Sequence, residues 1–107
     1  MSDYHITPFY DATRVPFKLD GRKLFTSDML EMVHLTLQPG EIIDPHAQLM
    51  DVVFFVLEGT GTLTVGDESI VAGENTTIQV RSGVQRAWSN TGNKPLRLLV
   101  NKLMKKE

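Results

Sequence analysis

The chain has 107 residues, 41% of them hydrophobic, and a formal net charge of -2, enough for one core and one domain that buries roughly 65% of its unfolded surface. Its cations are scattered rather than striped, which argues against a nucleic-acid partner. The lack of cysteine excludes disulfides, thiolate metal sites and a Cys nucleophile. The opening "MSDYHITPFYDATRVPF" shows no basic leader before an apolar stretch, and the longest apolar run, "VVFFVL", is too short to span a bilayer, so a cytoplasmic protein with no membrane partner is expected.

Asp20-Gly21 in "FKLDGRKLF" predicts a two-residue hairpin turn. "TSDMLEM" is the one place for a helical turn, with Ser27 or Asp28 as its cap. Beyond residue 30 the pattern has period two almost throughout. In "EMVHLTLQPG" the alternate side chains Val33, Leu35 and Leu37 are apolar, whereas Met32, His34, Thr36 and Gln38 are mostly hydrogen-bonding. "MDVVFFVL" is apolar on both faces, as in a strand covered on both sides. The "VGDES" turn predicts a hairpin between Val65 and Ile70, and the strands "TTIQV", "VQRAWS" and "LRLLV" follow. Short strands at spacings near ten residues predict an all-β antiparallel sandwich or small barrel. "KLMKKE" reads as a frayed end.

One stretch has more than strand periodicity. In "PGEIIDPHAQLMDVVFFVLEGTG", Gly40 is followed by five residues to His46, then Gln48, then three residues to Val52, then six to Gly59. This spacing resembles the first motif of the cupins, in which glycine, His-x-His, glutamate and glycine stand at these intervals. In "RSGVQRAWSNTG" the intervals from Gly83 to position 86 and on to Asn90 match the second cupin motif. Arg81 stands where that motif has proline, Arg86 where it has histidine and Asn75 where it has its leading glycine, with Gly73 two residues early. The resemblance covers residues 31–101 and implies a double-stranded β-helix, the jelly-roll cupin barrel of two antiparallel sheets. Residues 1–30 would then form N-terminal strands and an arm, and residues 102–107 a C-terminal tail. The resemblance also implies a homodimer.

In metal-binding cupins the two histidines and the glutamate of the first motif join the histidine of the second around one divalent ion. Those four positions are His46, Gln48, Val52 and Arg86 here. Of these, His46 is a strong ligand and Gln48 a weak neutral one; Val52 has no donor and Arg86 has no lone pair. A guanidinium about 4 Å from a divalent ion would add roughly 8 kcal/mol of repulsion at an effective dielectric near 20. No cofactor is therefore expected, and a divalent transition metal enters only with a substitute ligand such as His34. Asp51, one residue from Val52, points to the opposite face of its strand.

Alternation places Arg86, Trp88 and Asn90 on one face of "VQRAWSN". The expected pocket is lined by His46, Gln48, Arg86, Trp88 and His34 above an apolar floor of Val52, Phe54 and Val56. Its expected occupant is a small acidic or polyhydroxylated metabolite bound without metal. Two alternatives are an isomerase or lyase with His46 as acid or base, and a metal-dependent oxygenase with a non-standard ligand set.

Overall fold

The computed structural model describes residues 3–104. Ten strands follow a short 3-10 turn, Phe9–Asp11. They are β1 (Thr13–Arg14), β2 (Asp20–Thr26), β3 (Leu30–Leu37), β4 (Ile42–His46), β5 (Asp51–Glu58), β6 (Gly61–Val65), β7 (Glu68–Ala72), β8 (Thr77–Val80), β9 (Arg86–Ser89) and β10 (Leu96–Leu103). One sheet has the order β1-β2-β3-β10-β5-β8 and the other β4-β9-β6-β7, and every pairing is antiparallel. The result is the expected all-β sandwich of two sheets, a double-stranded β-helix. Among the described residues no helix is long and apolar enough to cross a membrane.

Side-chain alternation decides what fills the space between the sheets. Val33, Leu35 and Leu37 from β3, Val52, Phe54 and Val56 from β5, and Leu96, Leu98 and Val100 from β10 meet Leu63 and Trp88 from the smaller sheet in one core. Leu37, Val56, Leu63, Leu96 and Leu98 are completely excluded from solvent. Burying one such side chain is worth about 1.5–3 kcal/mol, so this half of the barrel carries much of its stability. β5 is buried on its inner side only; Val53, Phe55 and Leu57 on the other face are half-buried rather than covered.

Gly59 ends β5 where only glycine fits. Its φ is +86° and the Pro95 carbonyl lies where a Cβ would be. The β6–β7 hairpin turns at Gly66-Asp67 as expected.

Three expectations are corrected. Asp20-Gly21 is not a turn but the start of β2, paired with Thr36 and Leu35. The chain reverses earlier, over Val15–Leu19, and is closed by the Val15 N–H donating to the Gly21 carbonyl at 2.8 Å. "TSDMLEM" forms no helical turn: Ser27 Oγ accepts from the N–H groups of Met29 and Leu30, both at 3.2 Å, and so caps the reversal between β2 and β3. The C-terminal segment is a strand through Leu103, with Lys102 paired to both Glu31 and Val52; residues 105–107 of the expected tail lie outside the described residues.

Candidate functional site

The sandwich is plugged at one end and hollow at the other. At the plugged end Asn90 is 3% exposed and fully bonded, its amide donating to the carbonyls of Leu37 at 2.8 Å and Lys94 at 2.7 Å while its oxygen accepts from Gly92 N–H at 2.9 Å. The last member of the inward set, one residue past β9, therefore fastens the barrel base rather than lining a site. At the other end a cavity of about 470 Å³ opens between the sheets. Its walls include Val33, Leu35, Val52, Phe54, Trp88 and Val100, and the Val15–Leu19 loop roofs part of it with Phe17 and Leu19.

His46 comes to the mouth through an irregularity in the edge strand β4. Ile43 faces Trp88 and His46 faces Arg86, so three steps on β4 match two on β9. The extra residue reverses the parity and turns His46 toward the cavity. Pro45 is tolerated there because β4 is an edge strand. His46 Nδ1 lies 3.0 Å from the Asp44 carbonyl. A carbonyl can only accept, so Nδ1 carries the hydrogen, which in the neutral tautomer leaves the lone pair on Nε2.

Gln48 is half-buried in the cavity wall. Its backbone carbonyl accepts from Gly83 N–H at 2.8 Å, which ties the β4–β5 connection to the β8–β9 loop. Asp51 faces the other way, as its parity requires. Its carboxylate accepts from Ser82 N–H at 2.9 Å and from the Gln79 amide at 3.3 Å, which fastens the same loop from outside.

Arg86 is 2% exposed and lines the cavity. Its Nε donates to the Val84 carbonyl at 3.0 Å and its Nη2 to the Arg81 carbonyl at 3.3 Å. No carboxylate among the described residues lies within ion-pairing distance of it. Burial pushes its pKa below the usual arginine value. Trp88 stacks edge-on against Phe54 with ring centroids 5.5 Å apart. Its Nε1–H is buried without an acceptor, on a residue that also lines the cavity. A buried guanidinium without an anion and a buried indole donor without an acceptor are both costly arrangements in an otherwise hydrocarbon wall.

His34 is not in the cavity. It lies on the outer face of β3, where Phe9 of the N-terminal segment covers it edge-on at 4.8 Å. Its Nε2 accepts from Arg97 Nε–H at 3.1 Å, and its Nδ1 is buried without a partner. Burial, and then the neighbouring Arg97, pushes its pKa down, with Arg22 acting in the same direction and Asp20 opposing. It serves neither as a pocket residue nor as a substitute ligand, because the apolar set of β3 is the one that faces inward.

Among the cavity residues that escaped the sequence reading are three charged ones on the larger sheet, Glu31, Lys102 and Lys23. Lys102 Nζ is 3.2 Å from Glu31 Oε1, and Lys23 Nζ is 3.8 Å from Glu31 Oε2. The signal was available in the strand parity. Glu31 alternates with Val33, Leu35 and Leu37, and Lys102 with Leu96, Leu98 and Val100, so both face inward.

These features define an antiparallel jelly roll with one open-ended internal cavity. The cupin-domain family model matches residues 33–101, more than half of the chain, and the chain belongs to the cupin family. A search of curated proteins finds no significant match. Among solved structures, an RmlC-like cupin family protein with a double-stranded β-helix fold from Methanocaldococcus jannaschii is similar at 21% identity and TM-score 0.82, covering 96% of this chain and 93% of that one. A conserved protein of unknown function from Streptococcus pyogenes is similar at 17% identity and TM-score 0.77, covering 100% and 93%. A "predicted oxalate decarboxylase" from Thermotoga maritima is similar at 17% identity and TM-score 0.82, covering 92% and 99%. At such identities the likeness establishes the fold and leaves the chemistry to the residues.

The donor set does not fit the divalent metal of metal-binding cupins. Val52, at the glutamate position, is buried hydrocarbon, and Arg86, at the second-motif histidine position, is a buried cation. Among the described residues no three of His, Asp and Glu gather closely enough to share an ion.

Proposed function

We propose that this cupin binds a small organic acid, with an apolar body against Val52, Phe54, Trp88 and Val100 and an anionic group on Arg86. The observation that carries this reading is the buried Arg86 guanidinium with backbone carbonyls but no carboxylate around it. A carboxylate or phosphate would give it the bidentate partner that burial demands. The Gln48 amide is a further donor for the same ligand, and the His46 Nε2 lone pair suits a hydroxyl or a protonated acid group. The largely hydrocarbon wall favours an acid over a polyhydroxylated sugar.

A second reading is a small isomerase or lyase that uses His46 as acid or base. It is supported by Glu31, a carboxylate on the opposite wall of the same cavity. Exchange of an activated substrate hydrogen with deuterated solvent, lost in His46→Gln, would establish it. Association of two copies through the outer sheets, which the cupin resemblance implies, is testable by sedimentation of the wild type beside Phe55→Asp on the half-buried outer face of β5.

The primary test is calorimetric titration of the wild type and Arg86→Gln with a panel of carboxylates and organic phosphates. Binding of at least one acid by the wild type, weakened about tenfold or more in the variant, is expected, because hydrogen bonds to a charged group contribute about 1.5–3 kcal/mol. Equal binding by both proteins across the panel would refute the reading.

A further inference from the structure

Arg86 supplies one cation from the smaller sheet, and the facing sheet supplies two more. Along β3 and β10 the inward side chains are hydrocarbon until the cavity mouth, where Glu31 and Lys102 take over. Charged groups on the inner face of a barrel are rare because each loses hydration, and these are substantially shielded: the Glu31 side chain is 19% exposed and that of Lys102 26%. Each oxygen of the Glu31 carboxylate is already taken by one ammonium, Lys102 on one side and Lys23 on the other. One carboxylate shared by two ammonium groups leaves one positive charge over. With Lys18 and Asp44 of the same lining paired to each other and Arg86 unpaired, the described cavity residues carry two uncompensated positive charges in a chain whose formal net charge is -2.

The two charges sit on opposite sheets. Arg86 belongs to β9, paired with His46 and Val65, while Lys102 belongs to β10, paired with Val52. Packed sheets lie about 10 Å apart, and hydrocarbon from Val52, Phe54, Trp88 and Val100 lines the space between. A monoacid would satisfy Arg86 and leave its far end against lysines. A molecule with an anionic group at each end would satisfy both walls and place its methylenes on the apolar waist.

We propose that the ligand is a dianion, a short-chain diacid or its chemical equivalent, anchored by Arg86 at one end and by the Lys102–Lys23 pair at the other. The proposal rests on the acid-binding reading of Arg86 and adds the second anchor. The excess positive charge at the mouth also accelerates capture of such a ligand at low ionic strength.

The test is calorimetry on the full chain with matched pairs of straight-chain acids, butyrate with succinate, hexanoate with adipate and octanoate with suberate. In the wild type the best diacid is expected to bind about tenfold or more tighter than its monoacid of equal length. Lys102→Gln, a change near the strand end, is expected to bring the pair within about twofold. Glu31→Gln, which releases both lysines from their shared carboxylate, is expected to strengthen diacid binding further. Circular dichroism of each variant confirms that the barrel is intact. Equal affinity for mono- and diacids at every length, still dependent on Arg86, would overturn the second anchor and leave the acid pocket standing. Diacid preference indifferent to both Lys102→Gln and Glu31→Gln would overturn it as well. No binding of any probe, or binding indifferent to Arg86→Gln, would overturn both readings together.

Discussion

At the scale of single residues, Arg86 and His34 are two buried basic groups with opposite solutions to the same desolvation problem. Arg86 keeps its charge and takes only carbonyls as partners, which points to a cost borne for function rather than a gain in stability. Arg86→Met, similar in volume and apolar, is therefore expected to leave the unliganded protein at least as stable, by up to about 1 kcal/mol in urea unfolding, while abolishing acid binding. A loss of several kcal/mol would instead make Arg86 a structural residue. His34 is held neutral, because Arg97 donates to Nε2 and the site is buried. Its folded pKa lies below the unfolded value near 6.5, so the unfolded chain binds more protons in the window just under that value. Stability from this group is complete above pH 6.5 and declines as pH falls from there toward the folded pKa, with a slope that cannot exceed about 1.4 kcal/mol per pH unit. Unfolding measured at pH 7.5, 6.5 and 5.5 should show this decline in the wild type. His34→Gln, which keeps an acceptor for Arg97, should remove it.

At the scale of elements, alternation was a reliable guide to faces and a poor guide to what covers them. The inward sets Arg86, Trp88 and Asn90 and Val52, Phe54 and Val56 were legible because a strand offers only two faces, although Val56 is sealed in the core and only Val52 and Phe54 of the expected floor line the cavity. His34 was misplaced although its parity was correct, since Phe9, which covers its outer face, is twenty-five positions away in the sequence and has no local signature. Turn chemistry misled for a related reason. Ser27 accepts backbone N–H groups equally well in a helix cap and in a strand reversal. Gly21 is small not to bend the chain but because Phe17 Cε1 would lie 2.8 Å and Leu35 Cδ2 3.1 Å from a Cβ there. Gly21→Ala is accordingly expected to push the half-exposed Phe17 ring out of the cavity roof rather than to break β2. The expected cost is about 1 kcal/mol of stability, with faster ligand dissociation in stopped-flow displacement. Unchanged dissociation would show that the Val15–Leu19 loop takes no part in retention.

At the scale of the whole molecule, the barrel divides into an end that is finished and an end that is not. The base is sealed by Asn90 and by side chains fully withdrawn from solvent. The mouth has a cavity in place of a core, an edge strand with an irregular register, and a roof held to the smaller sheet by the exposed Lys18–Asp44 pair at 3.7 Å, a contact of little worth in water. Local opening should therefore begin at the edge strand β4 and the Val15–Leu19 loop, and amide exchange there should outpace exchange at β5 and β10, which pair with strands on both sides. A ligand that bridges the two sheets supplies the missing contacts at this end. At a free concentration one hundred times its Kd it stabilises the fold by about 2.7 kcal/mol, roughly 10 °C or more in Tm for a domain of this size. The slowing of exchange should be largest at the mouth, because those amides open by local fluctuations that a bound molecule blocks. Equal slowing at base and mouth would mean that the mouth opens only with global unfolding, and the two ends would then form a single cooperative unit.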